Sequence, residues 1–380
     1  MMRAVLFCVL ALPALGQQWK IQYFFDDIKQ DMEITDLAFP TGDKGIAVGT
    51  IYERASGHEK YTAVVTSDGG EHWKLENLRD YPRSIFFLND STGWMVGDHG
   101  LWLTGDFGKN WKKQSEQLKP DKNLEPETTI DLLMRVWFLD NKHGFGVGLQ
   151  KTIVETNDGG RTWKAVEAAA KPAGNPAYTA YTHIYFEDPK HGVIVGGSQA
   201  PRRQRGLRPP VPAWVDPERA SKQNQSDTLT IMLETKDGGA NWQTGAVSVA
   251  GLVSSIRFAA QDGLVVMGFD ESYQWPSEVF RFAGKETKSV FRDKTPRVVD
   301  AELYPGPRVY LAGVEPTGKM NTAALPGKVQ VLESDDFNTW KEMAVDYKAM
   351  ARSIVIAGPD KDHVWLATDT GMILHLTARP

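Results

Sequence analysis

The sequence predicts an all-β chain folded as a seven-bladed β-propeller of four-stranded antiparallel blades, and three observations predict it. An eight-residue run recurs along the chain, a glycine-flanked apolar beat recurs seven times, and the two ends carry complementary fragments of one repeat unit. A repeat of about 40 to 50 residues is the length of one propeller blade.

The eight-residue run is Thr66–Trp73, and it returns as Thr104–Trp111, Thr156–Trp163 and Thr235–Trp242, each obeying Ser/Thr-x-Asp-x-Gly-x-x-Trp. A fifth copy, Ser334–Trp340, is degenerate, with Asn338 read in the glycine's place and the tryptophan one residue early. The residue types suit a tight turn. Asp and Thr side chains bond nearby backbone, Gly supplies a positive φ, and Trp packs between neighbouring sheets. Asp68, Trp73, Asp106, Trp111, Asp158, Trp163, Asp237, Trp242, Asp336 and Trp340 are therefore read as scaffold.

The apolar beat runs Gly45–Gly49, Gly93–Gly97, Gly144–Gly148, Gly192–Gly196, Gly263–Gly268, Val309–Gly313 and Val364–Ala367. Its copies end 45 to 54 residues apart, except for a gap of 72 between Gly196 and Gly268 that holds an Arg/Pro-rich insertion at about 198–227. A short apolar strand precedes each beat. It is read as strand A, the innermost; the beat is strand B, the run into the box is strand C, and the Trp-led segment after it is strand D. Leu374–Thr377 matches Leu101–Thr104, and Trp19–Lys20 matches Trp111–Lys112. The N-terminal strand is thus expected to complete the last blade and remove exposed sheet edges.

Arg3, the apolar run Ala4–Leu12, Pro13 and the small residues before Gln17 read as a signal peptide, residues 1–16, followed by a single domain, 17–380. This implies a secreted or periplasmic protein. Nothing later approaches the roughly 20 apolar residues of a membrane span. The lone cysteine, Cys8, lies in the leader, so the mature chain is expected to lack disulfides and thiol chemistry. With 43 basic and 48 acidic side chains, the net charge of -5 gives no general attraction for nucleic acid, and no such partner is expected.

Box turns at C–D corners leave the D–A and B–C connections together on the opposite face. The long excursions Thr50–Lys60, Ser198–Asp227, Phe269–Ser277 and Glu315–Lys328 (B–C) and Lys113–Ile130 (D–A) all fall there. Long loops on a rigid scaffold are where binding resides, so this face is expected to take a protein or glycan partner. Aligning the A strands places Asp36, Ser84, Arg135, His183, Ser255, Asp300 and Ser353 in one polar ring at the channel mouth, with Arg83 and Arg352 beside it and Arg257 inside. Such a ring either binds a carboxylate through arginine forks or braces itself with internal salt bridges. Arg202, Arg203, Arg205 and Arg208 in the insertion form either an arm for an anionic partner or a solvated loop. The sequence contains neither H-E-x-x-H nor G-x-S-x-G, and no metal or cofactor is expected.

The eight-residue run resembles the Asp box, or BNR repeat, of sialidases, other glycosidases and photosystem II assembly-factor propellers. Ser91–Gly100 followed by Thr104–Trp111 looks most like the unit of the photosystem II stability and assembly-factor family. That resemblance implies a noncatalytic seven-bladed scaffold that holds a partner during assembly. The rival implication is a glycosidase. A sialidase would need an arginine triad and an R-I-P-like segment, which is absent; Tyr81–Ile85 has the wrong order. Other glycosidases need two carboxylates about 5 to 9.5 Å apart, and Asp36 with Asp300 or Glu302 is the pair this chain offers.

Overall fold

The structure, a computed structural model, describes residues 17–119, 132–199, 228–248, 251–259, 262–269, 274–283, 286–317, 319–320 and 323–378. The leader, Cys8 and the insertion arginines 202, 203, 205 and 208 lie outside these residues, as does most of the excursion 113–130.

Seven antiparallel sheets follow one another in the strand order the sequence predicts. Their A strands are Gln30–Ala38, Pro82–Phe87, Leu133–Phe138, Thr179–Phe186, Leu252–Ala259, Arg297–Tyr304 and Ile354–Asp360. Blade 7 is closed by the N-terminal strand Gln17–Phe24, which pairs antiparallel with Met372–Ala378. Its far edge is covered by Ala344–Val345, which leaves blade 6 early and pairs parallel with Gln18 and Trp19. No helix among the described residues is long and apolar enough to cross a membrane.

The beat has a steric origin. In blades 1 to 5 the A strand leads into a Phe whose ring lies on the glycine that opens strand B. A Cβ at Gly45, Gly93, Gly144, Gly192 or Gly263 would sit 2.1 to 2.6 Å from Phe39, Phe87, Phe138, Phe186 or Phe258. The closing glycine faces a β-bulge: six A strands skip one residue in register, between Ile34 and Asp36 in blade 1 and at equivalent points through blade 6. The bulge pushes a carbonyl toward strand B, so a Cβ at Gly49, Gly148 or Gly196 would meet it at 1.7 to 2.1 Å.

Four Asp boxes turn on two consecutive left-handed residues, Gly69–Gly70, Phe107–Gly108, Gly159–Gly160 and Gly238–Gly239. Thr156 shows the common wiring: its hydroxyl donates to Asp158 and accepts from the amide of Gly160, both within 2.9 Å. Asp158 then accepts the hydroxyl and the amide of Thr162 and the amide of Arg161, which hold its carboxyl down to about 2. The fifth copy corrects the sequence reading. Asn338 does not take the glycine's role; Phe337 supplies the single left-handed residue, and the turn is one residue shorter. Asp336 still accepts the amides of Asn338 and Thr339, which is why the tryptophan arrives early.

Two further boundaries differ. The B–C connection expected at Thr50–Lys60 shrinks to residues 54–58, because Thr50, Ile51 and Tyr52 stay paired with Tyr61, Lys60 and Glu59. Strand B of blade 4 likewise runs on to Gln199 before the insertion, and strand C resumes at Thr228.

Candidate functional site

The A strands line a central cavity of about 580 Å³ in two tiers. The upper tier is the predicted polar ring: Asp36, Ser84, Arg135, His183 and Asp300, each next after the bulge of its strand, and Ser353 line it, while Ser255, at the same place in blade 5, is buried and does not. Most of this ring braces the circle. Asp36 accepts the amides of Leu37 and, in the next blade, Ile85, each at 3.0 Å. The Ser84 hydroxyl donates to the Met134 carbonyl at 2.8 Å. His183 Nε2 donates to the Ser254 carbonyl at 3.0 Å; burial, with Arg135 nearby, lowers its pKa to about 3 and keeps the ring neutral. Asp300 accepts the amide of Ile356 at 3.0 Å. In blades 1, 2, 4 and 6 one polar ring side chain thus reaches the backbone of the next blade, which helps a ring without a covalent closure hold together.

The arginines divide in the same way. Arg83 pairs with Asp98, and Arg352 with Asp369 at 2.7 Å; the two pairs occupy equivalent places in blades 2 and 7. Arg257 bridges blades 5 and 6, reaching Glu302 at 3.0 Å and Asp300 at 3.1 Å. Burial raises Glu302 to about 7 against the pull of Arg257. Asp36 is also pushed up by burial, with Arg135 and the two backbone amides working against it. The carboxylates nominated for hydrolysis are therefore tied up: both oxygens of Asp36 and of Asp300 accept backbone amides, and Glu302 holds Arg257.

Arg135 is different. It is 42% exposed, and its contact to Asp36 is long, 3.7 Å. Arg297, at the start of strand A in blade 6, is exposed and lines the same mouth, with no ion pair among the described residues. Arg297 was not foreseen, since it lies three residues before the ring position. The lower tier was also missed: Phe86, Trp137 and Tyr185 form an aromatic arc with centroids 4.9 and 5.0 Å apart, facing Arg257 and Glu302 across the channel. Their signal was available as the residue before each aligned Phe. The tryptophans and aspartates of the Asp boxes stay on the opposite face, as scaffold.

Comparison with known proteins follows this geometry. Residues 114–198 match the model of the photosynthesis system II assembly factor YCF48 family. The photosystem II assembly protein Ycf48 of Thermosynechococcus vestitus is 23% identical over 300 residues, covering 77% of this chain and 81% of that protein. Among solved structures, YCF48 bound to a D1 peptide aligns with a TM-score of 0.55 at 17% identity, over 94% of this chain and 99% of that one. YCF48 from Cyanidioschyzon merolae aligns with a TM-score of 0.55 at 16% identity, over 94% and 98%. With its repeats and its ring of seven blades, the chain is an Asp-box (BNR) repeat β-propeller, similar to the photosystem II assembly-factor propellers.

Proposed function

We propose that this chain is an exported, non-catalytic binding scaffold that holds a segment of a partner protein across its D–A and B–C face. The carrying observation is where apolar surface escapes burial. Of the seven exposed large hydrophobic residues among the described residues, five (Phe24, Ile28, Leu252, Leu325 and Met350) lie at strand ends or connections of that face. Exposed apolar side chains on one face add dry contact area for a bound segment. Arg135 and Arg297 stand at the centre of the same face, where a fork of guanidinium donors suits a carboxylate of the bound segment. A YCF48 structure that holds a D1 peptide supports the reading, because it gives a propeller of this kind a peptide-binding role.

The test is capture of partner proteins from an exported-protein extract by purified wild type and by Arg135→Ala/Arg297→Ala. The double variant is expected to melt like wild type and to lose at least about tenfold in capture, the loss of two charge-assisted contacts. Equal capture by a folded double variant would remove the channel mouth from the site, and turnover of a glycan panel would remove the scaffold reading itself.

A further inference from the structure

Five of the seven seams between blades are filled by an Asp box, and the filling has a constant geometry. In blades 2, 3 and 4 the turn of the box sits on the residue that follows the first beat glycine of the preceding blade. A Cβ at Gly108 would meet Ile46, and one at Gly239 would meet Phe145; Trp94 Nε1 donates to the Gly159 carbonyl at 3.1 Å. The box indole then closes the seam, as Trp242 does, edge-on to Phe145 and Phe186 at 5.7 and 6.1 Å.

Blade 5 carries no box: residues 284–285 alone separate its strands C and D, Ser277–Ala283 and Glu286–Arg292. Val193, the counterpart of Ile46, Trp94 and Phe145, lines instead a cavity of about 150 Å³ with Tyr185 and Phe258 as its other walls. A space of that size accepts one aromatic ring. Its rim is charged by Glu187, Glu234 and Lys236, while the imidazole of His191 is occupied by Asp188 at 2.7 Å. Glu234 is a carboxylate deprived of its usual partner. In blade 6 the equivalent Glu333 is met by Lys341 across the C–D pair at 3.0 Å and by Arg308 at 2.6 Å, and in blade 3 Glu155 stands opposite Lys164 in register while bonding His143 at 2.9 Å. Glu234 faces Gln243. Neither Glu234 nor Glu187 has an ion pair among the described residues. The internal boxes show what suits such a seam, since Trp73, Trp111, Trp163 and Trp340 are each followed by a lysine.

We propose that the seam between blades 4 and 5, on the Asp-box face, is a docking pocket for an aromatic side chain followed by a lysine or arginine on a partner protein. The ring enters against Val193, Tyr185 and Phe258, and the cation takes the place beside Glu234 that Lys341 fills beside Glu333 in blade 6.

The probe is a peptide copying residues 156–164, with its tryptophan fluorinated and its ends blocked, titrated against the full chain and read by fluorine line broadening. Saturable binding is expected, weakened about fivefold by Glu234→Gln in the protein and by Lys164→Glu in the peptide, and abolished by Val193→Trp, which fills the space. Arg135→Ala is expected to leave it unchanged, so failure here and failure of the scaffold reading are separable. Absence of saturation, or equal affinity for the lysine and glutamate peptides, overturns the proposal. So does self-association of the chain that Val193→Trp abolishes while the peptide fails to bind, since the pocket would then belong to a second copy.

Discussion

The seam between blades 2 and 3 and the seam between blades 4 and 5 are alike at the channel and unlike farther out. At the channel each is joined through a ring side chain on the next blade's backbone, Ser84 on Met134, with Arg83 on Leu133 beside it, and His183 on Ser254. Farther out, the 2–3 seam is gripped twice more, by Trp94 and Gln114 on the Gly159 carbonyl. The 4–5 seam has Tyr185, whose hydroxyl donates to the Phe258 carbonyl at 2.6 Å. The other seam without a box, between blades 6 and 7, uses the same substitute: Tyr304 and Tyr310 donate to the carbonyls of Gly358 and Lys361. Closure of the circle thus rests on the polar ring, and the Asp box is an added wedge that a tyrosine hydroxyl partly replaces.

The comparison breaks most sharply at the closing seam. Trp365 is stacked between Phe39 and His375 at 3.7 and 4.3 Å and donates to Gln22 of the N-terminal strand. Trp365→Ala is expected to cost about 3–5 kcal/mol, measured by denaturant unfolding, and a cost below that of a single hydrogen bond would show that the ends do not fasten the ring.

A smaller effect separates the two kinds of seam. Thr156→Val strips the acceptor from the buried amide of Gly160 and is expected to cost about 1–3 kcal/mol, whereas Tyr185→Phe should cost about 1 kcal/mol. Equal losses would mean that the box contributes no more than one hydroxyl.

The smallest effect is in pH dependence. Burial lowers His375 to about 4 from its ordinary 6.5, so the unfolded chain binds the proton more readily. Its contribution is complete above pH 6.5 and is lost as pH falls through about 4; His183, at about 3, acts in the same sense. Glu302, raised to about 7, acts oppositely, and its contribution is lost as pH rises from 4.5 through 7. His375→Gln is therefore expected to flatten the acid side of the stability profile, and an unchanged slope between pH 6.5 and 4 would remove the imidazole as its source.

How far the site could be read from the chain depends on the distance over which each contact acts. Arg83 with Asp98 and Arg352 with Asp369 lie 15 and 17 residues apart at matching points of the repeat, so pairing was legible and an open anion site at those positions was not the better reading. Arg257 with Glu302 spans 45 residues and one blade. The polar ring itself was found by alignment on Phe39 and its equivalents, because the bulge that exposes it is a property of one hairpin.

By itself the sequence determined the blade. Phe39 on Gly45, the bulge opposite Gly49 and the Thr66–Asp68 turn are all contacts within one hairpin or one turn, and contacts that short leave a periodic trace. Only the tertiary structure decided which charges remain available. Asp36, Ser84, His183 and Asp300 are consumed by main-chain groups of the next blade, and an amide or carbonyl has no letter of its own. The same reason hid the empty place at Val193: a missing wedge becomes a pocket only when two blades some 60 residues apart are brought edge to edge.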